Sequence, residues 1–140
     1  MELTGKTLII TGASSGIGAS AALLFVAEGA NVVLGARRKA ELDALEQQIA
    51  STNGNAVVLA GDVTDEAYSR ALADLAVRKF GRLDGAFNNA GIVGDLVPVP
   101  GMNSANWHSV IATNLTGAYY SAKYQIPAME KNGGGSIVFT

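Results

Sequence analysis

The stretch Lys6–Gly18, KTLIITGASSGIG, decides the fold of this chain. A short β-branched run leads into three glycines, and an uncharged helix-forming segment, Ala19–Ala27, follows them. This order predicts a strand, a phosphate-binding loop and a helix. Glycines let the backbone approach a ligand, and the free N–H groups at a helix start favour an anion. The stretch therefore predicts a polyphosphate site, and the alternative is a tight turn that binds no ligand.

The bulk composition indicates one globular domain. The chain has 140 residues, of which 49% are hydrophobic and 16% charged, so it can bury a core. A formal net charge of −2 gives no basic excess for nucleic acid or for an anionic membrane surface. The chain has no cysteine, which excludes a disulfide framework and a thiolate metal site. We predict no bound metal, no signal peptide at Met1–Gly5 and a cytoplasmic location.

Apolar runs and helical periodicity alternate along the rest of the chain. Strands are expected on the apolar run Leu8–Ile10 and at Asn31–Ala36, Ala56–Ala60, Leu83–Asn88 and Ser136–Thr140. Helices are expected at Gly16–Glu28, Lys39–Thr52, Asp65–Phe80 and from Ser104 toward Met129, with Thr64 and Ser104 as N-caps and a kink or an early end at Pro127. Strict alternation predicts an α/β fold, a doubly wound parallel sheet with strand order 3-2-1-4-5. The ligand crevice is then expected at the carboxyl ends of strands 1 and 4, where the order reverses.

The end of the second strand predicts the type of dinucleotide. An acidic residue there accepts hydrogen bonds from the ribose 2′-OH of NAD, whereas a basic residue accommodates the 2′-phosphate of NADP. Here Ala36 stands at that position, and Arg37 and Arg38 follow it. Arginine offers a planar fork of donors that matches phosphate. We therefore predict NADP(H) over NAD(H), and the alternative is that Arg37, Arg38 and Lys39 form a solvated loop.

Three motifs at the ends of successive predicted strands resemble one protein family. They are TGASSGIG after strand 1, Asp62-Val63 after strand 3 and Asn88-Asn89-Ala90-Gly91 after strand 4. On these motifs the chain is identified as a member of the short-chain dehydrogenase/reductase family over essentially all its residues. The resemblance implies that residues 1–140 are a Rossmann-like NAD(P)-binding domain. It also implies that this domain is incomplete on its C-terminal side, ending after strand 5.

The resemblance assigns roles to individual residues. Asp62 and the Val63 N–H would contact the adenine, and Asn89, Ala90 and Gly91 would border the ribose on the nicotinamide side. Asn114 matches the family's mid-helix asparagine, which belongs to the catalytic set and holds a water in a proton relay. The implied cofactor-binding set is Gly12, Ser14, Ser15, Gly16, Ile17, Gly18, Arg37, Arg38, Asp62, Val63, Asn89, Ala90 and Gly91. Without the resemblance, these segments are ordinary turns, and Asn114 is a helix asparagine that bonds neighbouring backbone.

Two further candidates are rejected. Tyr119 and Lys123 have the family's Tyr-x-x-x-Lys spacing, and residues four apart share a helix face. In the family, however, that pair lies on the helix after strand 5, whereas Tyr119 lies only five residues after Asn114. Packing is the expected role of Tyr119 and Lys123. His108, the only histidine, has no second ligand or nucleophile near it, so we expect a surface or packing role.

The resemblance implies hydride transfer between a nicotinamide cofactor and a small carbonyl or alcohol substrate. It places a catalytic serine and the Tyr-x-x-x-Lys pair after strand 5, beyond Thr140, so the 140 residues alone should turn nothing over. Leu96 and Val97 are the residues that we expect to touch substrate. A homo-oligomer, dimer or tetramer, is implied for an intact protein. Two alternatives remain: a non-catalytic NAD(P)-sensing module, and a fragment that is stable only when paired with another chain.

Overall fold

The computed structural model describes all 140 residues. The strands are β1 Thr7–Thr11, β2 Asn31–Ala36, β3 Asn55–Ala60, β4 Gly85–Asn88 and β5 Ser136–Phe139. The helices are α1 Gly16–Ala27, α2 Lys39–Ala50, α3 Glu66–Phe80, α4 Ser104–Ile111 and α5 Gly117–Glu130. A 3-10 turn, Val99–Gly101, precedes α4, and a π-helical segment, Ala112–Thr116, joins α4 to α5. Each predicted strand and helix is therefore present, with ends that shift by one or two residues.

The five strands form one parallel sheet of order β3-β2-β1-β4-β5, which confirms the predicted fold class. The last residue of β1, Thr11, pairs with Gly35 of β2 on one side and with Asn88 of β4 on the other. The chain goes from β1 toward β2 on one side and from β4 toward β5 on the other. The helices that follow β1 and β4 therefore diverge at this point. The carboxyl ends of β1 and β4 consequently border a crevice.

The core has two layers because successive residues of a strand point to opposite faces of the sheet. Ile9 of β1 faces α3 and α5, while its neighbour Ile10 faces α1 and α2. Both side chains are fully buried. Each layer contains ten buried apolar residues, so helices cover both faces, as expected for a parallel sheet.

Two N-cap predictions are wrong by one residue. The N-cap of α3 is Asp65, whose carboxylate accepts a hydrogen bond from the Ala67 N–H at 3.0 Å. The Thr64 hydroxyl instead donates to Asp62 at 2.8 Å, so it closes the preceding turn. The N-cap of α4 is Asn103 rather than Ser104, and its side chain accepts from the Ala105 N–H at 2.8 Å. In both cases an Asx side chain replaces a hydroxyl as the cap acceptor.

The long helix predicted from Ser104 toward Met129 is interrupted near its middle. Residues 112–116 form a π-helical segment, a local widening of a helix that often accompanies a functional site. At the other end, α5 continues through Pro127 to Glu130, so the prediction that proline ends the helix early is wrong. None of the helices has the length and apolarity that crossing a membrane requires.

Asp84 ties together the amino ends of β1 and β4. Its carboxylate accepts hydrogen bonds from the Thr7 N–H at 2.9 Å and from Arg82 Nε at 2.7 Å, and Lys6 Nζ lies 3.6 Å away. Burial by itself would raise the pKa of the Asp84 carboxyl. The hydrogen bonds from Arg82 and Thr7, with the charges of Arg82 and Lys6, outweigh burial and hold the pKa below its ordinary value.

We expect Asp84→Asn to lower the free energy of unfolding by about 1–3 kcal/mol at neutral pH, because the Thr7 N–H and Arg82 lose a charged acceptor. Since the folded-state pKa is depressed, the stabilisation is present above the unfolded pKa of about 3.9 and is lost as the pH falls through the folded value. Urea unfolding at several pH values should therefore show the difference from wild type shrinking below about pH 4.

The matched control is Asp74→Asn. The Asp74 side chain is exposed and pairs with Arg70 at 3.8 Å, so its loss should change stability little. An equal loss in both variants would show that Asp84 is no more than a surface ion-pair partner.

Candidate cofactor-binding site

A crevice of about 700 Å³ lies at the carboxyl ends of β1 to β4. Its walls come from the loops that follow these four strands and from the region where α4 meets the π-helical segment. The predicted residues that line it are Gly12, Ser14, Ser15, Arg37, Arg38, Asp62, Val63, Asn89, Ala90 and Gly91. Further residues of the wall, which were not predicted to bind the cofactor, are Ala36, Gly61, Thr64, Ile92, Ser109, Ala112 and Thr113.

The glycine loop follows β1 and lies in the middle of this crevice, between the loops after β2 and β4. Gly12 has φ +67°, and a Cβ on it would lie 2.9 Å from Asn89 Nδ2 and 3.1 Å from the backbone of Ala90. A Cβ on Gly18 would overlap the Gly12 carbonyl oxygen. Ser15 is the N-cap of α1 but makes no side-chain cap hydrogen bond. The first turn of α1 therefore keeps its N–H donors available for an anion, which fits the pyrophosphate of a dinucleotide.

Thr11 holds the glycine loop and the turn after β4 together. Its hydroxyl oxygen accepts hydrogen bonds from the Asn89 N–H and the Ala90 N–H, each at 3.1 Å. The Asn89 side-chain amide donates in return to the Thr11 and Gly12 carbonyl oxygens at 3.4 Å. Thr11 is 2% exposed, so water does not compete for these bonds. The sequence prediction missed this role, although a threonine that ends a strand before glycine was a visible signal.

The two arginines after β2 have different surroundings. Arg38 Nη1 lies 3.2 Å from Glu41 Oε1, and its Nη2 donates to the Ser14 hydroxyl at 3.2 Å. Arg38 therefore joins the loop after β2 to the glycine loop. Arg37 makes no hydrogen bond or ion pair with another side chain and lines the crevice. Of the two guanidinium groups, that of Arg37 is the one left free for a ligand.

Asp62 lines the crevice beside Arg37. Its Oδ1 accepts hydrogen bonds from the Thr64 N–H at 2.9 Å and from the Thr64 hydroxyl at 2.8 Å. The backbone hydrogen bond from Thr64 is the main cause that lowers the pKa of Asp62; burial opposes it, and the charge of Arg37 adds to it. Asp62 is therefore a carboxylate near neutral pH and can accept a hydrogen bond.

Tyr68 is buried beneath the crevice wall and packs against Gly61, the residue before Asp62. Its side chain is 7% exposed, and its hydroxyl donates to the Leu59 carbonyl oxygen at 2.6 Å. The ring occupies the space that a Cβ on Gly61 would need, and a Cβ on Gly35 would lie 2.7 Å from the hydroxyl oxygen. Because Gly61 directly precedes Asp62, the ring of Tyr68 fixes where the Asp62 turn begins.

Asn114 lies in the π-helical segment and clamps the chain after β4. Its Oδ1 accepts from the Ile92 N–H at 2.9 Å, and its Nδ2 donates to the Ile92 carbonyl oxygen at 2.8 Å. A Cβ on Gly91 would lie 3.3 Å from Asn114 Oδ1. Asn114 does not line the main crevice but a second cavity of about 30 Å³, next to Ser121. Both polar atoms of the Asn114 side chain are therefore bonded to the backbone of Ile92, which lies 22 residues earlier in the chain.

Several singled-out residues lie away from the crevice wall. Ile17 is 70% exposed. Gly16, Ile17 and Gly18 form the start of α1 and do not line the crevice. Leu96 is 89% exposed and Val97 43%, and neither lines the crevice. His108 is exposed on α4 and also lies outside it.

The rejected Tyr-x-x-x-Lys pair is also outside the crevice. Tyr119 is 59% exposed. Lys123 Nζ donates to Glu66 of α3, and the neighbouring Tyr124 hydroxyl donates to the same carboxylate at 2.8 Å. These hydrogen bonds lower the pKa of Glu66. Lys123 thus joins α5 to α3, which agrees with the packing role expected for it.

The doubly wound sheet with a glycine loop at its switch point defines a Rossmann-like fold. The model of the short chain dehydrogenase family matches residues 6–140. The 3-oxoacyl-[acyl-carrier-protein] reductase FabG of Thermotoga maritima is 39% identical over 138 residues, which are 99% of this chain and 56% of that protein. This chain therefore belongs to the short-chain dehydrogenase/reductase family, as the motifs predicted.

Solved structures agree with this assignment. NAD⁺-bound xylitol dehydrogenase superposes with a TM-score of 0.95 at 32% identity, over 99% of this chain and 54% of that one. A metagenomic short-chain oxidoreductase in complex with NADP gives a TM-score of 0.91 at 36% identity, over 98% of this chain and 62% of that one. The chain spans about half the length of the curated relatives it matches.

We expect Gly61→Ala to weaken dinucleotide binding in the crevice about tenfold, measured with NADPH and with NADH on an intact protein that contains this chain. The new methyl group overlaps the Tyr68 ring and displaces the Asp62 turn. The double variant Gly61→Ala/Tyr68→Val removes the overlap and should recover most of the affinity in a fluorescence titration.

The control is Gly101→Ala, since a Cβ there meets nothing within 4 Å. If the double variant binds as weakly as Gly61→Ala, the ring of Tyr68 does not set the position of the Asp62 turn.

Proposed function

We propose that this chain is the cofactor-binding part of an NADP(H)-dependent oxidoreductase that acts on a small carbonyl or alcohol substrate. One observation carries the proposal: a single crevice runs from Arg37 past the glycine loop to the Asn89–Gly91 turn. That order matches the parts of a dinucleotide, with a 2′-phosphate at one end and a nicotinamide at the other. When bound, a nicotinamide cofactor supplies hydride-transfer chemistry.

Each part of the crevice has a proposed task. The N–H groups of the loop Gly12–Gly18, with the Ser14 and Ser15 hydroxyls, bind the pyrophosphate. Asp62 and the Val63 N–H bind the adenine. The turn Asn89–Gly91 borders the ribose on the nicotinamide side, and Thr11 keeps that turn in place.

Asn114 is the proposed catalytic residue in this chain. Its side chain is hydrogen-bonded to both the N–H and the carbonyl oxygen of Ile92. The backbone of Asn114 is part of the wider π-helical turn. Single π-helical turns within α-helices frequently occur at functional sites, which supports this role. The catalytic serine and Tyr-x-x-x-Lys pair that the family resemblance implies would come from sequence after β5.

The preference for NADP(H) rests on charge. Ala36, the last residue of β2, carries no carboxylate, whereas the free guanidinium of Arg37 lines the crevice. A guanidinium binds phosphate by charge-assisted hydrogen bonds, and a nearby carboxylate would repel it. Arg38 is proposed to contribute mainly by holding Ser14.

A homo-oligomer is proposed from exposed apolar side chains on α4, the π-helical segment and α5. Four large apolar side chains there are 47–63% exposed: Trp107, Leu115, Tyr119 and Ile126. Tyr119 and Ile126 are seven residues apart on α5, so they lie on one side of that helix. A surface of this kind is typical of an interface between protein chains. A cytoplasmic location is part of the same proposal.

The substrate class can be tested with an intact protein that contains this chain. We expect it to oxidise NADPH in the presence of ketones, and to do so faster than NADH, when ketones, sugars and steroids are screened with both cofactors. Binding of either cofactor with no turnover of any substrate would favour a sensing module instead.

The cofactor preference can be tested by Arg37→Ala. Loss of one charge-assisted contact should weaken NADPH binding by about 10- to 100-fold while NADH binding changes little. Arg38→Ala should have a smaller effect, and Arg78→Ala, on the exposed side of α3, should have none. Ala36→Asp combined with Arg37→Ala and Arg38→Ala should shift preference to NADH. A wild-type protein that already binds NADH better would refute the preference.

A further inference from the structure

Two buried amide side chains form a reciprocal pair between β4 and α5. Asn88 Nδ2 donates to Gln125 Oε1 at 2.8 Å, and Gln125 Nε2 donates to Asn88 Oδ1 at 2.9 Å. Asn88 is 6% exposed and Gln125 is 2% exposed. Because each side chain satisfies a donor and an acceptor of the other, the pair is tolerated in the core.

The pair joins two parts of the candidate site. Asn88 is the last residue of β4, and the Asn89–Gly91 turn follows it directly. Gln125 lies on α5, the helix that continues the π-helical segment with Asn114. Eleven residues separate Asn114 from Gln125, which is about three helical turns. The same helix is therefore bonded to the same stretch of chain at both ends, through Asn114 at Ile92 and through Gln125 at Asn88.

Packing alone does not account for the choice of two amides. Two apolar side chains of similar size at these positions would fill the same space and would leave no polar group to satisfy. The amides add directional hydrogen bonds. Both bonds form only when the helix has one particular position along its axis relative to the strand. Buried polar pairs of this kind can specify a register that an apolar contact leaves loose.

We propose that Gln125 is a positioning residue that sets the register of α5 against the end of β4, and thereby places Asn114 beside the Asn89–Gly91 turn. The proposal rests on the proposed function, because the register matters only if this turn and Asn114 serve one reaction. Gln125 acts through Asn88 and lines neither cavity.

The test uses an intact protein that contains this chain and compares Gln125→Met with the double variant Asn88→Leu/Gln125→Met. The single variant leaves the Asn88 amide buried without a partner, so it should lose stability in urea and about tenfold in kcat. NADPH affinity should change less than about threefold, because the glycine loop and Arg37 do not contact the pair. The double variant should regain stability but not kcat.

The control is Gln47→Met on the exposed side of α2, which should match wild type in stability and in kcat. Recovery of both stability and kcat in the double variant would overturn the proposal, because packing would then be the only role of the pair. An unchanged kcat in Gln125→Met would also overturn it. A wild-type protein that binds neither NADPH nor NADH would overturn the proposed function together with this inference, whereas failure of the double-variant result alone leaves the function standing.

Discussion

The Thr11 hydroxyl is the contact on which the candidate site depends. It lies at the switch point, where β1 and β4 end side by side and their connections leave in opposite directions. At this point the regular sheet hydrogen bonds stop, and the partly buried N–H groups of Asn89 and Ala90 would otherwise have no acceptor in the sheet. One hydroxyl oxygen accepts both. The glycine loop and the turn after β4 are thereby kept at a fixed separation across the crevice.

The chain after β4 is held from three sides within five residues. Gln125 of α5 bonds Asn88, Thr11 of β1 bonds the next two residues, and Asn114 of the π-helical segment bonds Ile92. All three use neutral amides or hydroxyls. Neutral hydrogen bonds are directional and add no charge beside a bound dinucleotide. The charged groups of the crevice, Arg37, Arg38 and Asp62, lie instead at its other end, in the loops after β2 and β3.

Much of the fold was predictable because its signals are local. Apolar strands too short to alternate and helices between them give a parallel sheet, and the handedness of the crossovers gives the order. The π-helical segment was not predictable from periodicity, since it adds a single residue to a helix whose flanks keep their pattern. The caps of α3 and α4 were missed by one residue, because two adjacent side chains competed for the same N–H groups and only their placement decides between them.

The sequence by itself determined the family, the order of the strands and most of the residues along the crevice wall. Motifs at strand ends suffice for this, because a parallel sheet brings all its carboxyl ends to one edge. Only the tertiary structure decided which polar side chains are hydrogen-bonded within the protein and which are free to bind a ligand. Arg38 is tied to Glu41 and Ser14 while its neighbour Arg37 is not, and Asn88 finds its partner 37 residues later in Gln125. Such pairings depend on distances between elements that are remote in the chain, and no local pattern encodes them.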